Sequence, residues 1–231
     1  MMPTVLVTGA NRGIGLHFAR QYAQDGWQVL GACRDPARAS DLRGILPAAH
    51  LKRLDVTDPA SVQALADELA GHPIDVLIAN AGVMSSLPRS APLEIEEAAW
   101  LTDFRVNALG SIRVAAAFAP HVAASRERKL IAISSLLASL GSNAMGGHYS
   151  YRASKSALNA LWRSFAIDHP ELIAVLLSPG LLRTDMTRYE SAWDTLNDPA
   201  PRVTALRGVI ARLSQAESGG SFNFSGDIMP W

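Results

Sequence analysis

Val5-Leu6-Val7-Thr8-Gly9-Ala10-Asn11-Arg12-Gly13-Ile14-Gly15 joins a short apolar run to a glycine-rich turn, and Leu16 to Asp25 continues from it with helical character. The order is strand, turn, helix. Glycines permit a sharp turn and a close backbone approach, while the free N–H groups and positive dipole end of the helix attract a pyrophosphate. The junction predicts a dinucleotide cradle at the start of a parallel α/β fold.

The rest of the chain repeats this alternation. Short apolar runs predict strands near 3–8, 28–33, 50–54, 74–79, 129–134, 172–178 and 221–225, and longer periodic stretches predict helices near 14–25, 36–46, 59–70, 95–124, 149–169 and 202–214. Asp35-Pro36 and Asp58-Pro59 each put a capping side chain before a proline suited to the first helical position. The 231 residues, 48% of them hydrophobic, suffice for one substantial core. We expect a single-domain α/β Rossmann-type fold over residues 1–231, a doubly wound parallel sheet of about seven strands with helices on both faces. Ligands of such sheets bind beyond the carboxyl ends of the strands, so the irregular segments 82–94, 136–148 and 184–201 are expected to form the substrate site.

Twenty-one basic and 21 acidic residues cancel, without long runs of one sign, which argues against nucleic acid or a membrane surface as partner. A small-molecule partner is the expectation. Cys33 is the single cysteine, so an intrachain disulfide and a cysteine zinc site are excluded and a reducing, cytoplasmic setting is expected. The six histidines form no metal-spaced pair on one predicted face, and no metal is assigned.

The TGxxxGxG spacing of Thr8, Gly9, Gly13 and Gly15 resembles the short-chain dehydrogenase/reductase family. By that resemblance the turn residues Gly9, Asn11, Arg12, Gly13, Ile14 and Gly15 seat the cofactor. An acidic residue about 20 positions on marks NAD enzymes, whereas an arginine suits the extra phosphate of NADP. Here Cys33 takes the acid's place and Arg34 follows it, with Arg12 as a second cation, so NADP(H) is the expected cofactor. Asp55 and Val56 look like the adenine-contacting pair, although Asp55 is also suited to capping the turn toward Pro59. Asn80-Ala81-Gly82 resembles the NNAG segment, with Ala79 replacing the first asparagine, and its Asn80 amide can pin neighbouring strands. Pro179, Gly180, Leu182 and Thr184 resemble the PGxxxT turn that grips the nicotinamide carboxamide.

Tyr151 and Lys155, four apart on a predicted helix, project from one face. A lysine charge beside a phenol favours phenolate and makes Tyr151 a usable proton donor or acceptor. Tyr149 has Ala153 in the corresponding position and lacks such a partner. In the resembled family this pair exchanges a proton with a carbonyl oxygen, the lysine also holds the nicotinamide ribose, and a serine at the end of the fifth strand donates to the substrate oxygen. Ser135 matches that serine, with Ser134 as the alternative. The 16 positions from Ser135 to Tyr151 exceed the common interval, which makes Ser139 and Ser142 rivals unless an added loop lies within Leu136 to His148. Asn107 is out of place inside a long helix. The matching family asparagine distorts the helix and holds a water that connects the lysine to solvent.

Gly146-Gly147-His148-Tyr149-Ser150-Tyr151-Arg152 and the stretch Phe222 to Trp231 look like the C-factor/sniffer branch of carbonyl reductases. The resemblance implies NADPH-dependent reduction of an aldehyde, ketone or quinone-like carbonyl, with Tyr151 as general acid. The alternatives are an NADP(H)-binding regulatory protein with little turnover and an NAD-preferring alcohol dehydrogenase. It also implies a homo-oligomer, dimer or tetramer, for which Leu158, Leu161, Trp162 and Phe165 are either interface or core.

Overall fold

The computed structural model describes residues 2–86 and 90–231. Strands β1 (Thr4–Thr8), β2 (Gln28–Cys33), β3 (Leu51–Arg53), β4 (Val76–Ala79), β5 (Lys129–Ile133), β6 (Ile173–Ser178) and β7 (Ser221–Asn223) form one sheet in the order β3-β2-β1-β4-β5-β6-β7. Every neighbouring pair is parallel. The chain returns from β3 at one edge to β4 beside β1, and this reversal opens a crevice above the carboxyl ends of β1 and β4. β1 and β5 are buried at every position, as expected for strands covered on both faces.

The helices are α1 (Gly13–Gln24), α2 (Ser40–Arg43), α3 (Pro59–Glu68), α4 (Glu97–Asp103), α5 (Ser111–Ala123), α6 (Tyr149–Asp168) and α7 (Pro199–Arg212). Phe18 of α1, Leu42 of α2 and Leu206 of α7 pack on one face of the sheet. Val62 of α3, Phe118 of α5 and Trp162 of α6 pack on the other. Phe118 and Trp162 are completely buried, and such side chains each stabilise a fold by about 2–3 kcal/mol. Leu158 and Phe165 join the same core, which leaves Leu161 half-buried at the helix surface.

Three predicted helices differ in detail. The stretch 36–46 breaks into a 3₁₀ turn at Pro36–Arg38 and the short α2, because the chain bends at Ala39 (φ −86°, ψ 66°) and buries Ala39 and Leu42. The stretch 95–124 is interrupted by a π-helical segment, Phe104–Gly110, with Asn107 at its centre. α7 begins three residues earlier than expected, at Pro199, where the Asp198 side chain accepts from the Ala200 N–H. Asp35 and Asp58 cap as their sequence positions suggest.

Candidate active site

The turn after β1 takes left-handed backbone at Gly9 (φ 65°) and Gly13 (φ 54°), conformations open to glycine without strain. Arg12 precedes α1 without capping it through its side chain, so the first N–H groups of the helix remain available to an anion. The Asn80 amide ties the two central strands together, donating to Thr8 O at 2.9 Å and Gly9 O at 3.3 Å. In return Thr8 Oγ1 accepts from the backbone N–H groups of Asn80 and Ala81.

A cavity of about 720 Å³ runs over this cradle, and the sequence-derived candidates converge on it. Asn11, Arg12 and Ile14 line it with Gly9 and Gly13; Arg34, Asp55 and Val56 line its far end; Asn80, Ala81, Gly82, Pro179, Gly180, Leu182 and Thr184 complete the middle. Gly15 and Asn107 lie behind that lining. Arg34 is exposed on the rim, and Arg38, which the sequence reading passed over, joins it there. Arg12 instead reaches across the crevice to Asp185, 3.5 Å away. Asp55 Oδ1 accepts from both the backbone and hydroxyl of Thr57, so its turn-capping role is realised at the cavity edge.

Tyr151 and Lys155 occupy the first two turns of α6 and are both buried. Lys155 Nζ donates to Ile133 O at 2.8 Å and lies 6.0 Å from the centre of the Tyr151 ring. Burial pushes the Tyr151 phenol up to about 12, and the Ser135 side chain pulls it the other way with a smaller effect. Burial also pushes the Lys155 ammonium down to about 8. The expected lowering of the phenol is thus reversed: removal from water favours the neutral form of both groups.

Ser134 donates to Asn159 Oδ1 at 2.6 Å, and Ser139 to Trp231 O at 3.3 Å, while Ser142 N–H bonds back to Ser139. Ser135 Oγ accepts from Leu137 N–H at 3.1 Å, and Ser135 is the serine whose side chain acts on the Tyr151 phenol. The added residues are accommodated by a 3₁₀ turn at Leu136–Ala138 and by the carboxyl-terminal segment, where Trp231 O accepts from Gly141 N–H at 2.8 Å.

Asn107 is fully buried. Its Oδ1 accepts from Val83 N–H at 2.8 Å, and its Nδ2 donates to Val83 O and to Ser154 Oγ. One helical turn earlier Asp103 accepts from Ser150 Oγ at 2.7 Å. Ser150 and Ser154 therefore form one row on α6, each held by the α4–π segment, and the adjacent row is Tyr151 and Lys155. A Cβ placed on Gly82 would be 3.3 Å from Asn107 Oδ1 and 3.6 Å from Lys155 Nζ, which shows how tightly these groups converge.

A family model for short chain dehydrogenases matches residues 3–195. The chain belongs to the short-chain dehydrogenase family. Among relatives of this dehydrogenase, C-signal of Myxococcus xanthus is 38% identical over 173 residues, 74% of this chain and all of that protein. A carbonyl reductase from chicken fatty liver, solved with bound NADPH, is 32% identical with a TM-score of 0.85, covering 100% of this chain and 99% of that one. The Sniffer carbonyl reductase of D. melanogaster is 26% identical with a TM-score of 0.87 over the full length of both chains. The resemblance read from the glycine turn and the tyrosine helix is therefore correct, and the protein is an oxidoreductase.

Residues from the irregular segments line the crevice. Met84, Leu136, Met145, Leu181 and Met186 give the cavity apolar walls beside Tyr151. Residues 87–89 of the first segment lie outside the described residues. His148, in left-handed backbone at φ 53°, faces Tyr189 with ring centres 6.0 Å apart; its buried Nδ1 has no partner among the described residues, and burial lowers its pKa. Trp193, in segment 184–201, has the guanidinium groups of Arg183 and Arg188 over its ring, and its Nε1 donates to Thr184 O at 3.0 Å. Tyr189 lines the main cavity, and Trp193 lines a smaller one. Among the described residues no helix is long and apolar enough to cross a membrane, and no group of three acidic, histidine or cysteine side chains is placed to hold a metal.

Proposed function

We propose that the protein is an NADPH-dependent carbonyl reductase. The observation that carries this reading is the convergence of Ser135, Tyr151 and Lys155 on the same cavity as the uncapped start of α1. That cradle fits a dinucleotide: the glycine turn and α1 would hold the pyrophosphate, Arg34 and Arg38 the 2′-phosphate, Asp55 and Val56 the adenine, and Leu182 and Thr184 the carboxamide. NADPH held there would supply the hydride for the carbonyl carbon. The side chains do the rest. Ser135 donates to the carbonyl oxygen and, with Tyr151, stabilises its developing negative charge. Tyr151 gives that oxygen its proton; a phenol held up at about 12 keeps the proton until the oxygen becomes basic enough to take it. Lys155 would hold the nicotinamide ribose and return a proton toward Tyr151, with Asn107 behind it fixing the loop at Val83. The apolar walls favour an apolar aldehyde, ketone or quinone-like carbonyl.

A carbonyl panel assayed with NADPH tests the reading directly. Turnover is expected. Tight NADPH binding without turnover of any aldehyde, ketone, diketone or quinone would support the regulatory alternative. Replacing Arg34 with alanine is expected to weaken NADPH binding about 10–100-fold, the worth of one or two charge-assisted hydrogen bonds, with little effect on NADH. Fluorescence titration of both cofactors measures this, and an unchanged preference would move the 2′-phosphate contact elsewhere.

The reduction should also lose rate on an alkaline limb near pH 8, where Lys155 gives up its proton, well below the titration of Tyr151. The sign follows from burial, which lowers an ammonium and raises a phenol. A profile of kcat/KM flat to pH 10 would contradict it.

A further inference from the structure

Asp103 ends α4 with its side chain wholly buried, one turn before Asn107. Oδ1 accepts from the Ser85 N–H at 2.9 Å, and Oδ2 accepts from Ser150 Oγ at 2.7 Å. Both partners donate, which is what an ionised carboxylate requires of its neighbours. The single Ser150 hydroxyl proton is committed to Asp103, so the 2.7 Å contact between Ser150 and Ser86 has Ser86 as donor. A directed chain results: Ser86 to Ser150 to Asp103. It fastens the segment after β4 to the first turn of α6, at the residue next to Tyr151.

Burying a carboxylate is costly unless donors and an opposite charge compensate it. Lys155 is the buried cation on which this negative charge acts. Lys155 lies 6.0 Å from the centre of the Tyr151 ring; Asp103 is the charged group that acts on Lys155, and Ser135, Tyr189 and Asp103 are the groups that act on Tyr151. Asn107 serves the neighbouring rung through an uncharged amide, so the two rungs differ in the one property that reaches Lys155 through space.

We propose that Asp103 is a positioning residue of the active site, its buried carboxylate fixing the Tyr151 turn through Ser150 and bringing a negative charge into the surroundings of Tyr151 and Lys155. This deepens the reductase reading and rests on it. The negative charge opposes the effect of burial on Lys155. Removing it lets the ammonium deprotonate at lower pH, while Tyr151, which Asp103 also raises, titrates far above. The alkaline limb of carbonyl reduction must therefore move toward acid in Asp103→Asn.

The test compares the full-length parent, Asp103→Asn, Asp103→Glu and Ser150→Ala, each saturated with NADPH and assayed on a carbonyl that the parent reduces. In Asp103→Asn the limb in kcat/KM should shift down by about one pH unit, and kcat at pH 7 should fall about tenfold, with the NADPH affinity held within about twofold. Asp103→Glu, which keeps the charge, should restore the limb. Ser150→Ala, which cuts the chain but leaves the carboxylate, should lower kcat about three- to tenfold without moving the limb. A parental limb in Asp103→Asn, including one with uniformly reduced rates, overturns the proposal. So does parental kcat in Ser150→Ala, which decides the matter if Asp103→Asn does not fold. Full activity of Tyr151→Phe would remove the reductase reading itself, an outcome separate from either of these.

Discussion

Tyr151→Phe is expected to lower kcat for carbonyl reduction by about 10²–10⁴-fold, the range that a positioned proton donor contributes. Phenylalanine keeps the ring in a site that is almost completely buried, so α6 and the rows of Ser150–Ser154 and Tyr151–Lys155 remain in place. What disappears is the hydroxyl on which Ser135 acts and which would face the carbonyl oxygen. The cradle at the turn after β1 keeps its contacts; NADPH affinity should fall by no more than about tenfold, since a ring-preserving change removes about one hydrogen bond at most. Initial rates with saturating NADPH, paired with fluorescence titration of the cofactor, separate the two quantities. Retention of parental kcat would exclude Tyr151 as the acid. Loss of NADPH binding in parallel with kcat would mean that the phenol acts through the cofactor site rather than on the substrate.

The fold was legible because each strand is a short apolar run between turn signals and each long helix has a regular period. In a parallel sheet covered on both faces those local patterns coincide with the tertiary arrangement. Where they diverge, a side chain is responsible. Asn107 looks like a poor residue in a continuous helix, and the helix does change to π geometry around it because its amide is spent on Val83 and Ser154. The glycine turn, Ser135, Tyr151 and Lys155 were legible from spacing together with the family resemblance. Asp103 was not, although it carried a signal: an acidic residue four positions before Asn107, on the face of that helix that is otherwise buried. The direction of the Tyr151 pKa was misread for a different reason. Sequence shows that a lysine is one helical turn away, but the desolvation that outweighs it depends on elements far apart in the chain closing over both groups. Arg12 was placed correctly at the cavity, yet its pairing with Asp185 depends on how segment 184–201 folds back, which no local pattern encodes.

Gly15→Ala is expected to weaken NADPH binding by more than about 100-fold and to destabilise the fold by about 1–3 kcal/mol, the usual cost of forcing an extra methyl into packed structure. The cause differs from that at Gly9 and Gly13, whose backbone is left-handed. Gly15 lies inside α1, and a Cβ there would stand 2.4 Å from Gly9 O and 2.5 Å from Asn80 Nδ2. The first obstacle is backbone and the second is the amide that ties β1 to β4, so neither can move without opening the cradle. Displacing the start of α1 by even a few tenths of an ångström also moves the N–H groups that would meet the pyrophosphate. Gly26→Ala is the control. Gly26 has φ 77° but no heavy atom within 4 Å of an added Cβ, and it lies beyond the far end of α1, so its substitution should cost about 1 kcal/mol of stability with unchanged NADPH affinity. Thermal melts with and without NADPH read both effects together. Gly15→Ala should lose the cofactor-dependent rise in Tm, whereas Gly26→Ala should keep that rise from a lower starting point. If the rise persists undiminished in Gly15→Ala, the pyrophosphate is not seated where the glycine turn and α1 meet.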